Sequence, residues 1–180
     1  MRDLVGKRVA MVVAHEGFRD EELFLPRTLL ERRGAQVVVL SERTGTASGK
    51  LGGSVPVDGL IASARAEDFA AVVFVGGPGV QPFADRPDCH NLARDAASAG
   101  RVVAAICSAG AILAKAGLLK GRRATCYPTE AEVLRKAGAN YTARALEVDG
   151  SIITADGPQS ANLFGATLAD ALASRPAASR

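Results

Sequence analysis

The stretch that decides the fold is Val102-Val-Ala-Ala-Ile-Cys-Ser-Ala-Gly-Ala-Ile-Leu113, in which a short apolar run ends in a cysteine and small residues follow. A sharp turn from a buried strand into a helix lifts one side chain clear of the sheet. The free N–H groups at the start of that helix then favour an anion. The pattern predicts a nucleophile elbow with Cys107 as a reactive thiol; a small cysteine buried at a strand end is the structural alternative.

Length and composition predict one domain over residues 1–180. The chain has 180 residues, 48% of them hydrophobic, so it can bury a sizeable core. Aromatic residues make up 4% and tryptophan is absent. The interior must therefore be built from Ala, Val, Leu and Ile at close spacing, which is typical of helices packed on a sheet.

Charge and cysteine usage exclude several classes of protein. The net charge is +3, and the basic residues are scattered among acids, so no nucleic-acid partner is predicted. Three cysteines, at positions 89, 107 and 126, show no CxxC spacing, and the first residues lack a signal-peptide pattern. We therefore expect a cytoplasmic protein with reduced thiols. No apolar run approaches the ~20 residues of a membrane span, so no membrane partner is predicted.

Apolar runs alternate with amphipathic segments along the chain. Strands are predicted over 8–14, 36–40, 71–75, 102–106, 123–126, 146–148 and 152–155. Helices are predicted over 21–33, 88–99, 108–116, 129–137 and 160–173, with a loop or small hairpin over 45–57 and a frayed tail over 174–180. This alternation predicts an α/β fold, a mainly parallel sheet with helices on both faces.

Ligands of such sheets bind beyond the carboxyl ends of the strands, where the strand order reverses. Three predicted strand ends deliver residues 15–22, the turn Gly76-Gly-Pro-Gly79, and Cys107 with Ser108. Backbone amides at Gly76 and Gly77 suit an oxyanion, although a tight turn alone would also require glycine there. The sequence thus predicts a thiol, a charged loop and exposed amides in one crevice.

Four motifs carry a family resemblance: Gly17-Phe-Arg-Asp-Glu-Glu-Leu23, Val75-Gly-Gly-Pro-Gly79, Ala105-Ile-Cys-Ser-Ala-Gly110 and Ala116-Gly-Leu-Leu-Lys-Gly-Arg-Arg-Ala-Thr125. Together they resemble the DJ-1/ThiJ/PfpI superfamily over nearly the whole chain. The resemblance implies a flavodoxin-like, glutamine-amidotransferase-like three-layer sandwich, a homodimer or larger assembly, and a reactive Cys107.

The first loop departs from the superfamily pattern. Many members carry a glutamate directly after the Gly-Phe pair, where it hydrogen-bonds the thiolate, and Arg19 stands there in this chain. An arginine lowers the pKa of Cys107 and attracts anionic substrates, but it cannot pass on a proton. The loop is also one residue longer than in the family, so Glu16 or Asp20 is a candidate for the space that the missing glutamate leaves.

Glu22 is a further candidate acid. Isocyanide-hydratase-like relatives place their catalytic acid at the matching site and a small hydroxyl residue, here Ser108, directly after the cysteine. The resemblance therefore assigns proton transfer to Glu22. A solvated carboxylate that stabilises the start of a helix is the structural alternative.

Histidine is absent from two places where related enzymes have it. Protease-like members place one immediately after the nucleophile, and several deglycase-like members place one in the loop that reads here Thr125-Cys-Tyr-Pro128. This chain has Ser108 and Tyr127 at those positions, which disfavours a Cys–His protease. His15 is the one histidine predicted near the crevice, with a rim histidine bonded to solvent or backbone as the alternative.

The leading hypothesis is a cysteine-dependent hydratase or hydrolase that acts on a small electrophile such as an isocyanide, a nitrile-like group or an α-oxoaldehyde. Cys107 attacks, Glu22 moves the proton, the Gly76 and Gly77 amides hold the anion, and Arg19 with Ser108 orients the substrate. Glyoxalase or deglycase activity, a redox or stress sensor with an oxidised cysteine, and a binding scaffold are the alternatives.

No cofactor is implied, and the expected partners are a small-molecule substrate and copies of the chain itself. A metal site at Asp88, Cys89 and His90 is not predicted, because no fourth ligand is evident.

Overall fold

The strands and helices come from a computed structural model of the chain, which describes residues 1–176. The strands, in chain order, are β1 (Arg8–Val12), β2 (Glu16–Phe18), β3 (Gln36–Ser41), β4 (Thr46–Gly49), β5 (Ser54–Pro56), β6 (Gly59–Leu60), β7 (Ala71–Phe74), β8 (Val102–Ile106), β9 (Arg123–Ala124), β10 (Asn140–Tyr141), β11 (Leu146–Asp149) and β12 (Ile152–Ala155). The α-helices are α1 (Asp20–Arg32), α2 (Pro87–Ser98), α3 (Gly110–Lys115), α4 (Ala131–Lys136) and α5 (Ala161–Ala173).

A seven-stranded sheet forms the middle layer, in the order β11-β12-β8-β7-β1-β3-β6. Its pairs are parallel apart from the antiparallel hairpin of β11 and β12. The mainly parallel α/β fold predicted from the sequence is confirmed. The chain leaves β1 towards β3 on one side and later returns to β7 on the other, so the strand order reverses beside β1. Ligand sites of open α/β sheets lie at this point, beyond the carboxyl ends of the strands.

Each face of the sheet has its own apolar core. Successive residues of β1 point to opposite faces, with Val9 in one cluster and Ala10 in the other. Helices α1 and α5 cover the face of Val9, whereas α2, α3 and α4 cover the face of Ala10. Because both faces are covered, β1, β7 and β8 read as continuous apolar runs rather than alternating ones.

Several boundaries differ from those predicted. The apolar run over 8–14 leaves the strand after Val12, and the helix predicted over 108–116 begins at Gly110, after a 3₁₀ turn at Cys107–Ala109. The segment 45–57 contains the hairpin of β4 and β5, and β2 pairs in parallel with β4 to complete a small side sheet. The pattern of the sequence did not predict β2, which is only three residues long.

The predicted frayed tail falls partly outside the described residues, which end at position 176. Ser174 and Arg175 lie within them and are bonded to the body of the protein. The Arg175 guanidinium donates to the Gly100 carbonyl at 2.7 Å, and the Lys7 ammonium donates to the Arg175 carbonyl at 2.6 Å. In this described part of the chain, no helix is long and apolar enough to cross a membrane.

Helices α1 and α5 touch through a glycine, which gives a prediction about stability. A Cβ atom at Gly165 would lie 2.8 Å from the Cα of Pro26, a backbone atom that cannot move independently. We expect Gly165→Val to lower the free energy of unfolding by about 2 kcal/mol in urea denaturation, because it overpacks this contact. Asn162→Ala, on the exposed face of α5, is the control, and we expect it to change stability by less than about 0.5 kcal/mol. Equal stability of the two variants would contradict the close helix contact.

Candidate active site

Cys107 sits at the turn between β8 and α3 in a conformation that is rare for a residue with a side chain. Its φ is 63°, and its side chain belongs to the core cluster on the α1 and α5 face while remaining 8% exposed. A left-handed backbone at a residue that is not glycine costs on the order of 1–3 kcal/mol and persists where the surroundings enforce it. This strained strand-to-helix turn is the geometry of a nucleophile elbow.

Glu22 faces the Cys107 thiol from the first turns of α1. The side chain is 0% exposed, so the solvated carboxylate considered as an alternative is wrong. Its Oε2 accepts a hydrogen bond from the Gly76 amide at 2.9 Å, and its Oε1 is buried without a nitrogen or oxygen partner among the described residues. The carboxyl group lies close enough to the thiol for each group to influence the pKa of the other.

The other two acids proposed for this place lie elsewhere. Asp20 accepts hydrogen bonds from the Leu51 and Gly53 amides at 2.8 and 2.7 Å, and Glu16 forms an exposed ion pair with Arg43. The periodicity of α1 explains why Glu22 was the one buried: it shares the inward face of the helix with Leu23, Pro26 and Leu30. The spacing of 22, 26 and 30 is the signal in the sequence that identifies it.

Burial changes the acidity of both groups of the pair. It raises the pKa of Glu22 to about 7. It also raises the pKa of Cys107 to about 12, with a further increase from the negative charge of Glu22, whereas hydrogen bonds to Ser108 lower it. The expectation that Arg19 and the helix start produce a thiolate of low pKa is therefore wrong. Desolvation and the neighbouring carboxylate outweigh the helix start.

Above pH 7 the pair therefore holds one proton, on the sulfur atom, and below pH 7 Glu22 is protonated as well. Two negative charges in one buried site are disfavoured, so the proton is retained by the pair as a unit. Above pH 7 the Glu22 carboxylate is free to accept the thiol proton when the sulfur atom forms a bond to an electrophile. A base with a pKa near the working pH is well matched to that task.

Gly76 is required for the close approach of these two side chains. A Cβ atom there would lie 2.6 Å from Glu22 Oε2 and 2.7 Å from the Cβ of Cys107. Gly77 has a φ of 121°, which favours glycine in its own right. The predicted oxyanion role of Gly76 is not supported, because its amide hydrogen is already donated to Glu22.

A pocket of about 400 Å³ opens in front of Cys107 at the carboxyl ends of the strands. Of the predicted residues, Arg19, Gly77, Ser108 and Tyr127 line it. The lining also contains the polar residues Lys50, Gln81, Thr129 and Gln159, from four separate segments. Sequence reasoning predicted a pocket wall from the loop 45–54, which contains Lys50, but did not identify these residues individually. A second cavity of about 410 Å³, around Lys7 and Arg101 at the amino ends of β1 and β8, is lined by no cysteine.

The two histidines lie outside the lining of the thiol pocket. The His15 ring is 3.0 Å from the Thr44 carbonyl oxygen, which matches the alternative of a rim histidine bonded to backbone. The His90 ring contacts the Ala84 carbonyl oxygen at 2.7 Å, while Asp88 pairs with Arg86. No three His, Cys, Asp or Glu side chains converge on a possible metal position within residues 1–176.

A flavodoxin-like sandwich with a buried thiol on an elbow and a glutamate against it defines a class of cysteine-bearing α/β proteins. The chain belongs to the DJ-1/PfpI family, whose sequence profile matches residues 7–171. It is 42% identical to an uncharacterized protein of Methanocaldococcus jannaschii over 88% of this chain and 78% of that one. It is also 34% identical to a deglycase of Pyrococcus horikoshii, over 84% and 90% of the two chains.

Solved structures agree with this assignment. The crystal structure of a ThiJ/PfpI domain protein from Brachyspira murdochii superimposes with a TM-score of 0.93 at 34% sequence identity. The superposition covers 95% of this chain and 100% of the other. The flavodoxin-like fold and the family inferred from the sequence are both confirmed.

Gly76 supplies a test of the geometry. We expect Gly76→Ala to displace Glu22 or Cys107, because the added methyl group meets both, and to lower the free energy of unfolding by about 1–3 kcal/mol. The control is Gly59→Ala, where the nearest atom is the flexible end of Leu40 at 3.2 Å. Thermal or urea denaturation compares the two. A Gly76→Ala variant as stable as the control would contradict the packing described here.

The raised pKa of Glu22 gives a second test, through the dependence of stability on pH. Between the unfolded value of 4.5 and the folded value of about 7, the native protein holds a proton that the unfolded chain has released. The free energy of unfolding therefore falls as pH rises through 7, by up to about 3 kcal/mol from this group. We expect Glu22→Gln to remove that part of the pH dependence.

Glu21→Gln is the matched control for this measurement. Arg19 lowers the pKa of Glu21, so its titration lies below the range from pH 5 to 8. Urea denaturation at several pH values separates the two variants. If the wild-type protein and Glu22→Gln show parallel curves, the carboxyl of Glu22 is not buried against the thiol.

Proposed function

We propose that this protein is a cysteine-dependent enzyme that converts α-oxoaldehydes, free or as adducts with amines, into 2-hydroxy acids. The observation that carries the proposal is the buried pair of the Cys107 thiol and the Glu22 carboxyl at the base of an open pocket. Such a pair provides a nucleophile and a base within one site. Relatives named deglycases support this reaction class over the hydration of isocyanides.

The first step is attack by the thiol on the aldehyde carbon. A carbon–sulfur bond forms, and the thiol proton passes to the Glu22 carboxylate and then to the carbonyl oxygen. That oxygen becomes the hydroxyl of a hemithioacetal, and Glu22 is left ionised for the next step. With an amine adduct, the carbon–nitrogen bond breaks and the amine leaves with a proton. Ser108 and Gly77 line the pocket beside the sulfur atom, with their polar groups bonded to each other.

The second step moves hydrogen within the substrate. Glu22 takes the proton from the carbon bonded to sulfur and returns it to the neighbouring ketone carbon, and the hydroxyl proton of the hemithioacetal moves to the ketone oxygen. The first carbon is thereby oxidised to a thioester and the second is reduced to an alcohol, so no external oxidant is needed. Water then hydrolyses the thioester, which releases the 2-hydroxy acid and restores the thiol.

Two features distinguish this proposal from the alternatives. A redox sensor depends on a thiol of low pKa, whereas the pKa of Cys107 is raised to about 12. Ser108, shared with the isocyanide-hydratase-like pattern, lies 3.3 Å from both the amide nitrogen and the carbonyl oxygen of Gly77. Its hydroxyl is therefore engaged with the glycine turn.

The experiment uses methylglyoxal as substrate and measures lactate. We expect Cys107→Ser to reduce turnover to background and Glu22→Gln to reduce it by about 10²–10⁴-fold, the usual contribution of a general base. For the wild-type protein, kcat/KM should rise with pH and level off above about 7, where Glu22 is ionised.

Cys89→Ala is the control, because this cysteine is buried in the core on the opposite face of the sheet. Lactate formation that survives in Cys107→Ser would overturn the proposal. Hydration of an isocyanide to a formamide without any conversion of methylglyoxal would overturn it as well, and would restore the other reaction class.

A further inference from the structure

Two cationic residues follow directly after parallel strands, at the same end of the small side sheet. Arg19 follows β2 and Lys50 follows β4, and these two strands are parallel neighbours. The Lys50 amide donates to the Phe18 carbonyl at 2.8 Å, which fixes the two chain segments side by side. Both side chains line the Cys107 pocket.

The turn that carries Lys50 is fastened to the first residue of α1. One carboxylate oxygen of Asp20 accepts from the Leu51 amide at 2.8 Å, and the other accepts from the Gly53 amide at 2.7 Å. Asp20 is adjacent to Arg19 in sequence. Asp20 therefore holds the turn that carries Lys50 beside the start of α1, where Arg19 lies.

Both cationic side chains have N–H groups without a hydrogen-bond partner in the described residues. Glu21 binds the Arg19 guanidinium through Nε and Nη2, at 2.8 and 3.1 Å, which orients the group and leaves Nη1 without a partner in the described residues. The Lys50 ammonium is exposed and has no partner within residues 1–176 either. No aspartate or glutamate lines the pocket; Glu21 offsets the charge of Arg19 from outside the lining, and the charge of Lys50 is not offset by an ion pair within residues 1–176.

We propose that Arg19 and Lys50 form an anion subsite, and that the substrates are α-oxoaldehydes carrying a carboxylate or a phosphate at the end remote from the aldehyde. Arginine binds such groups through its planar fork, and lysine adds a mobile point charge. The identity of the substrate rests on the proposed function, whereas the anion subsite itself does not. The pocket volume of about 400 Å³ lies within the range of small-molecule sites.

The subsite is tested without any assumption about catalysis by alkylating Cys107 with two reagents of similar size. Iodoacetate carries a carboxylate and iodoacetamide is neutral, so the ratio of their rate constants cancels the fraction of ionised thiol. Peptide mass spectrometry follows Cys107 in the folded protein and in the urea-unfolded chain at equal ionic strength. We expect the iodoacetate to iodoacetamide ratio to be about tenfold higher in the folded protein.

Variants and salt identify the source of this preference. Lys50→Gln and Arg19→Gln should each lower the ratio severalfold, and about 0.5 M NaCl should lower it in the wild-type protein, because salt screens exposed charges. Lys136→Gln, an exposed lysine on α4, is the control and should leave the ratio unchanged. Equal ratios in the folded and unfolded states would overturn the anion subsite.

Turnover then distinguishes the substrates. Methylglyoxal is neutral, γ,δ-dioxovalerate bears a carboxylate, and hydroxypyruvaldehyde phosphate bears a phosphate. We expect kcat/KM for one or both anionic compounds to exceed that for methylglyoxal by about tenfold or more, mainly through KM, and Lys50→Gln to reduce this preference. The compound with the larger increase in kcat/KM shows whether the subsite prefers a carboxylate or a phosphate.

The two proposals fail in different ways. A raised alkylation ratio without turnover of any of the three compounds would retain the anion subsite and overturn the proposed function. Turnover that is equal for neutral and anionic compounds, with equal alkylation ratios, would retain the function and overturn the subsite.

Discussion

The contact between the Glu22 carboxyl and the Cys107 thiol is the interaction on which the site depends, and several costly features of the fold serve it. Cys107 adopts a left-handed backbone, and the Glu22 carboxyl is fully buried. A glycine is required at position 76 because a side chain there would clash with both groups. Removing a carboxyl from water is unfavourable unless the charge is compensated. Here the Gly76 amide hydrogen bond compensates for part of this cost, and the raised pKa of Glu22 reflects the rest.

The apolar runs of the sequence contain most of the information about the fold. β1, β7 and β8 are buried on both faces, so their positions and parallel pairing follow from continuous Val, Ala and Ile segments and from the helices between them. The elbow follows equally, because Cys107 comes directly after such a run. These elements are determined by local composition, which the sequence shows directly.

The details of the site depend on contacts between segments that are distant in the chain. Arg19, Asp20, Glu21 and Glu22 are four consecutive charged residues, and the phase of α1 against the sheet decides which of them reaches the thiol. β2 is three residues long and is stabilised by pairing with β4, some thirty residues later, so no local pattern marks it. Lys50 enters the pocket because of that pairing, and its place could not be predicted from its neighbours in sequence.

The raised pKa of the Cys107 thiol also affects how readily the sulfur atom is oxidised. Hydrogen peroxide and similar oxidants react with thiolates rather than thiols, and the resulting sulfinic acid is seldom repaired. At neutral pH the sulfur atom keeps its proton, and 8% of the residue is exposed. A thiol that keeps its proton is therefore protected from oxidative inactivation.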